Sequence, residues 1–107
     1  MMSGSDGPPG GGMFNTGPAD DECSAVRVED VVAAPDPSFS FFVGVVLEVA
    51  IQSSSPVTVG LFSSSTLVGA LHPYPALVRC LKSGVPFQAE VLSAHGGDVR
   101  VRVEPIP

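Results

Sequence analysis

A chain of 107 residues holds one compact domain at most, with a correspondingly small core. Its formal net charge is −6, but seven of the acids (Asp6, Asp20, Asp21, Glu22, Glu29, Asp30, Asp36) precede residue 39 with only Arg27 opposing them. From Phe39 onward Arg79, Lys82, Arg100 and Arg102 balance Glu48, Glu90, Asp98 and Glu104, so the part expected to fold is formally neutral.

Residues 1–23 are rich in Gly, Pro and acid, and such a composition buries too little apolar surface to offset the entropy of ordering. A disordered acidic tail is expected there, followed by a single domain over residues 24–107. Met13 and Phe14 are the large apolar side chains that stand out in the tail, and chance residues in a linker explain them better than a docking motif. The opening "MMSGSDGPPGGG" has neither the basic region nor the apolar stretch of a signal or transit peptide, so an intracellular location, cytoplasmic or nuclear, is expected.

From Ser24 the pattern becomes that of strands. "SAVRVEDVV" sets Val26 and Val28 against Arg27 and Glu29, the period of a half-buried strand, and "AAPDPS" ends it with two prolines. "FSFFVGVVLEVAIQ", dominated by β-branched and aromatic residues, predicts a second strand in which Gly44 marks a bulge or bend. Its apolar run at 41–51 contains Glu48 and is shorter than the roughly 20 residues that cross a bilayer, so no membrane insertion is expected. "SSSP" is a turn cluster, and "VTVGLF" and "TLVGAL", separated by "SSS", form a hairpin.

"LHPYP" then ends the strand, because Pro73 lacks the ladder donor and holds His72 extended, while Pro75 suits a first helical turn. "PALVRCLKSG" spaces Leu77, Val78 and Leu81 on one helical face, gathers Arg79 and Lys82 toward the last turn and closes on Gly84. "VPFQAEVLSA" and "DVRVRVEP" alternate again around "HGG", a hairpin turn in which Gly96 or Gly97 supplies positive φ. Six short strands and one short helix predict an all-β fold, a small six-stranded SH3/OB-like barrel, closed or partly closed, which also removes exposed edges. Cys23 and Cys80 fit neither a disulfide framework nor a metal spacing, so both are expected reduced, with Cys80 in the core.

In this order of elements, "PVTVGLFSSSTLVGALHPYPALVRCLKSGVPFQAEVLSAHGGDVRVRV" resembles the second half of a HIRAN domain, a small β-barrel module found alone or fused to helicase-like DNA-repair proteins. Gly69 matches the family's strand-ending glycine, Pro73 lies near its proline, Leu77 and Leu81 match the helix face, and Gly84 matches its cap. "AVRVEDVV" and "FFVGVVLEVAIQ" fill the places of the two opening strands, so the likeness covers about residues 25–104. The resemblance implies a HIRAN-like barrel that contacts single-stranded DNA or DNA ends. The family's "EPxNPYDxNA" segment, whose tyrosine and acid help hold a strand end, is replaced here by "IQSSSPVT".

A strand-binding site needs a cationic track for phosphates and flat side chains for bases. Arg100 and Arg102 share the exposed face of the last strand and Arg79 and Lys82 share a side of the helix; if the two elements pack as neighbours, the four cations line one groove with Tyr74 beside it and His72 and Phe42 as further flat candidates. The expected nucleic-acid-binding residues are therefore Arg79, Lys82, Arg100, Arg102 and Tyr74, against the ordinary reading of solvated charges and a packed tyrosine. No catalytic residue, cofactor or metal site is expected: the serines occupy turn clusters, and His95 with Asp98 belongs to a hairpin. The function predicted is a non-catalytic accessory module for single-stranded DNA or DNA ends. The alternative is a protein–protein adaptor on the same barrel.

Overall fold

The computed structural model describes residues 22–107; residues 1–21 of the expected acidic tail, with Met13 and Phe14, lie outside them. After a helical turn at residues 22–24 come β1 (Val28–Val31), β2 (Val46–Ser54), β3 (Val57–Ser63), β4 (Thr66–Leu71), α1 (Pro75–Lys82), β5 (Phe87–His95) and β6 (Asp98–Pro105). All six strands belong to one antiparallel sheet in the order β1-β6-β5-β2-β3-β4. The sheet curls until its outer strands approach, and the chain just beyond β1 bridges to β4: Ala33 and Ala70 exchange N–H···O bonds of 2.8 and 3.0 Å. The fold is thus all-β with one short helix, as expected.

Inward residues alternate along each strand. Leu47 and Val49 of β2, Val59 and Leu61 of β3, Phe87, Ala89 and Val91 of β5, and Val99, Val101 and Val103 of β6 are all buried, and Leu77 and Cys80 of α1 close the core. Turn chemistry fixes the hairpins. Ser64 and Ser65, and Gly96 and Gly97, all adopt positive φ, the two-residue turn whose twist matches that of the strands it joins. The C-terminal signal at Gly84 is realised in full. Gly84 (φ 88°) donates to Leu81 O and Val85 to Cys80 O, so the last helical carbonyls are satisfied by a left-handed residue.

Two expectations are corrected. Phe39–Val45 does not extend the second strand: Val45 N–H bonds Phe42 O (3.0 Å) in a tight turn, and Gly44 (φ 92°) donates to Val91 O (2.8 Å) before β2 begins. Gly44 is therefore the expected bend, placed outside the strand. β-propensity favoured a strand through this stretch, but the turn leaves Phe42 and Val43 facing solvent, 66% and 71% exposed.

The second correction concerns the cysteines, expected reduced. Cys23 and Cys80 form a disulfide with Cα atoms 5.7 Å apart, and both residues are buried. Cys80 is in the core as expected. The partners are 57 residues apart in sequence, and only the folding of α1 against the segment before β1 brings them within bonding reach. Cys23, on the tail side of the expected boundary, thereby joins the core cluster.

Candidate interaction surface

The outer face of the sheet carries Arg102 in register with Glu29 of β1 on one side and Glu90 of β5 on the other. Arg102 Nη2 donates to Glu90 Oε1 at 3.0 Å, with both side chains partly exposed. Arg27 meets Glu104 at 3.4 Å, one inter-strand row away. Arg100 is exposed and stands opposite Val31 and Ser93. Acids and cations therefore alternate across this face. Cross-strand pairs of this exposure contribute about 0.2–1 kcal/mol each, enough to orient the arginines but not to build a one-signed field.

Arg79 Nη2 is 3.9 Å from Glu22 Oε1, beside the Cys23–Cys80 bridge, and Lys82 is exposed in the last turn of α1. Arg100 sits four residues, roughly 13 Å along β6, from Glu104, whose carboxylate meets the same N-terminal arm. Arg79 thus faces Glu22, and Arg102 faces Glu90.

Tyr74 packs against the core just before α1, its ring edge-on to His72 with centroids 4.6 Å apart. Asp30 of β1 accepts a hydrogen bond, at 3.4 Å, from His72 N–H, and its carboxylate lies near enough to the Tyr74 phenol to act on its ionisation. With the Ala33–Ala70 bridge and Asp36 N–H on Val68 O (2.8 Å), this bond makes the seam where β1 meets β4. The His-Pro-Tyr-Pro corner thus stops β4, starts α1 and ties both to β1.

This environment raises the Tyr74 pKa above its usual 10.0, through loss of solvent first and then through the charge and acceptor oxygen of Asp30. Because the folded pKa is raised, this contribution to stability is complete below pH 10 and is lost as pH rises through the folded value. Tyr74 is the single tyrosine, and there is no tryptophan. An ultraviolet titration of the phenolate reads it directly, and its midpoint is expected above 10. Asp30→Asn is expected to lower that midpoint without returning it to 10, because the loss of solvent remains. A midpoint unchanged by Asp30→Asn would show that Asp30 does not act on the phenol.

A groove of about 370 Å³ lies between the Pro35–Pro37 loop, Phe39, Phe41 and the β5–β6 turn at Ala94, Gly96 and Gly97. Phe39 and Phe41 meet edge to face with centroids 4.8 Å apart. Asp36 holds the loop in shape by accepting from Ser38 N–H (2.9 Å) and Ser38 Oγ (2.8 Å), bonds that lower its pKa below the usual 3.8. Beyond the groove stand Phe42 and Val43 on the Gly44 turn, and Val46, 55% exposed, at the start of β2. Among the described residues, Asp36 is the only charged group that lines the groove.

Sequence reasoning placed Phe42 as a candidate flat side chain but missed the groove. The available signal was four residues, "FSFF", between a proline-rich loop and a glycine, with more apolar positions than strand alternation can bury.

Among the described residues no group of three His, Cys, Asp or Glu is gathered as a metal site, and no helix is long and apolar enough to cross a membrane. No protein-family model, no curated protein and no solved structure matches the chain.

Proposed function

We propose that the protein is a non-catalytic interaction module that receives an extended, apolar segment of a protein partner in the Phe39/Phe41 groove, with cationic residues flanking that segment. The observation that carries this reading is the groove itself: two aromatic rings and two prolines line it, the exposed Phe42 and Val43 stand beside it, and among the described residues Asp36 is its only charged lining. Large exposed apolar side chains grouped in this way mark contact sites on small domains. Aromatic-lined grooves suit extended, proline-rich segments, which lose little entropy on docking. Charge agrees with the choice, since the acids of residues 22–107 (Glu22, Glu29, Asp30, Asp36, Glu48, Glu90, Asp98, Glu104) outnumber Arg27, Arg79, Lys82, Arg100 and Arg102.

A HIRAN-like barrel contacting single-stranded DNA is the second reading, and exposed Arg100 and Lys82, which make no ion pair among the described residues, favour it. Its support is narrower, because Arg102 and Arg79 already face acids and Tyr74 is engaged in the seam.

Fluorescence anisotropy of the full chain with two labelled probes separates the readings. One probe is a proline- and leucine-rich nonapeptide flanked by arginines, the other a short oligothymidine strand. The peptide is expected to bind, to bind less when its flanks are changed to glutamate, and to be lost with Phe41→Ser and Phe42→Ser together. Oligothymidine binding that falls steeply with salt and with Arg100→Ala plus Arg102→Ala, without peptide binding, would overturn the peptide reading in favour of nucleic acid. Binding of neither probe would also overturn it. The double arginine variant is expected to remain folded, at a cost under about 1 kcal/mol.

A further inference from the structure

β5 runs on past the end of its pairing with β2. That pairing extends from Val46↔Glu90 to Val49↔Phe87, and just beyond it Gly44 N–H donates to Val91 O (2.8 Å) and Val91 N–H to Val45 O (2.9 Å). Before Gly44 the chain turns away from β5: Val45 N–H closes back on Phe42 O (3.0 Å), and Phe42 and Val43 face solvent. β5 continues to His95 with β6 as its neighbour on the other side. Past Val91, then, the edge of β5 has no strand beside it among the described residues, where an extension of β2 through residues 39–43 would have run.

Backbone alternation shows which groups this edge presents. The pair His95↔Asp98 closes the two-residue turn at Gly96 and Gly97, so Ser93 and His95 turn their N–H and C=O groups toward β6 and Ala94 turns its own the other way. Val91 faces that same side, since it bonds Gly44 and Val45. Two residues three apart share a side because the register shifts between Val91 and Ser93, a bulge that adds one residue. Among the described residues no hydrogen bond reaches the N–H or C=O of Ala94 from this side. Ala94 is partly buried and lines the Phe39/Phe41 groove. The groove therefore offers a free donor and a free acceptor, with the spacing of one strand residue.

We infer that, given a groove that receives an extended segment of a protein partner, the segment binds by adding a strand to β5: antiparallel, like β2, with one of its residues exchanging both backbone hydrogen bonds with Ala94. The added strand takes the place that Phe39–Val43 leaves in the sheet. Main-chain bonds fix its direction and register, and alternate side chains meet the rings of Phe39 and Phe41. The residue opposite Ala94 must carry an N–H, so it is not proline, although prolines fit on either side of it. Charge agrees with cations at the ends of the segment, because Asp36 lines the groove and Asp98, exposed, follows Gly97 at the turn.

The test uses the full chain and the arginine-flanked proline- and leucine-rich nonapeptide, with leucine at its centre. Amide exchange is read residue by residue by NMR. In the free chain Ala94 is expected to exchange faster than Ser93, whose N–H is taken by β6, and saturating peptide is expected to slow Ala94 by about tenfold or more. Peptides methylated at one backbone nitrogen at a time are expected to show a single position where affinity falls about tenfold, the share of one lost hydrogen bond, with both neighbouring positions tolerant because their N–H groups face away from β5. Binding of the parent peptide with Ala94 exchange unchanged, or with every methylated peptide bound equally, would overturn the strand pairing and leave the groove reading standing. Ala94 already protected in the free chain would overturn it too, by showing that the edge is not open. No binding of the parent peptide would overturn both.

Discussion

Phe87→Ala is expected to destabilise the protein by about 3–5 kcal/mol, the range for emptying a fully buried aromatic site. Phe87 heads the group of fully buried side chains by size and opens β5, where it is in register with Val49 of β2 and Pro105 of β6. Its ring therefore fills the space where three strands and the approach to α1 converge. The surrounding chain is tied by ladder hydrogen bonds on both sides of β5, so the cavity cannot collapse by moving one strand. Against the total of about 5–15 kcal/mol that small domains have, this is a large share. A fall in Tm of at least about 12 °C is expected. Phe42→Ala provides the contrast, since a ring 66% exposed on the Gly44 turn is expected to change stability by under about 0.5 kcal/mol. Denaturant midpoints of the two variants, measured side by side, check both figures. Equal losses would mean that Phe42 is not free on the surface.

The second large effect is expected at the seam. Gly69 lies in β4 where the chain leaving β1 crosses it, and a Cβ built on Gly69 would overlap Val32 Cγ1. Val32 is itself buried, so its side chain has no open side to turn toward. Gly69→Val must therefore push residues 32–35 off β4, weakening the paired Ala33–Ala70 bonds and the Asp36 N–H bond to Val68 O. Overpacking costs about 1–3 kcal/mol and each hydrogen bond lost about 1 kcal/mol more, for roughly 3 kcal/mol or above. The signature is local as well as global. Exchange of the Ala33 and Ala70 amides is expected to accelerate more than that of the amides that join β2 to β5, which lie away from the seam. A Gly69→Val variant with wild-type stability and unchanged exchange at Ala33 would show that β1 and β4 do not close on one another.

Gly69 is required by a contact that no local rule announces. The glycine was matched to a strand-ending position of the HIRAN pattern, and no local rule required it, since its backbone is ordinary strand. The requirement comes from Val32, distant in sequence, crossing close above it.

Local order was legible in the residues because each signal acts over a few positions. Alternation placed Phe87, Ala89 and Val91, and Val99, Val101 and Val103, on the buried face, and the structure buries all six. Pro75 and Gly84 marked the ends of α1 because they limit backbone dihedrals wherever they occur. Gly96 and Gly97 identified the last hairpin for the same reason, and Gly44 identified a bend. By itself, then, the sequence determined the elements, their order and the all-β class.

What it left open depends on partners far apart along the chain. The bond between Cys23 and Cys80, the Arg102–Glu90 and Arg27–Glu104 pairs, the engagement of Tyr74 with Asp30 and the groove beneath Phe39 and Phe41 all arise from strand order and register. Periodicity is blind to both, because a strand's alternation is the same whichever strand lies beside it. Tertiary structure alone decided that Arg79 and Arg102 face separate acids, that "FSFF" forms a turn and a groove wall, and that two cysteines with no motif spacing meet. The physical reason is common to all three: each depends on which distant segments the curling of the sheet brings together, and no short window of sequence carries that information.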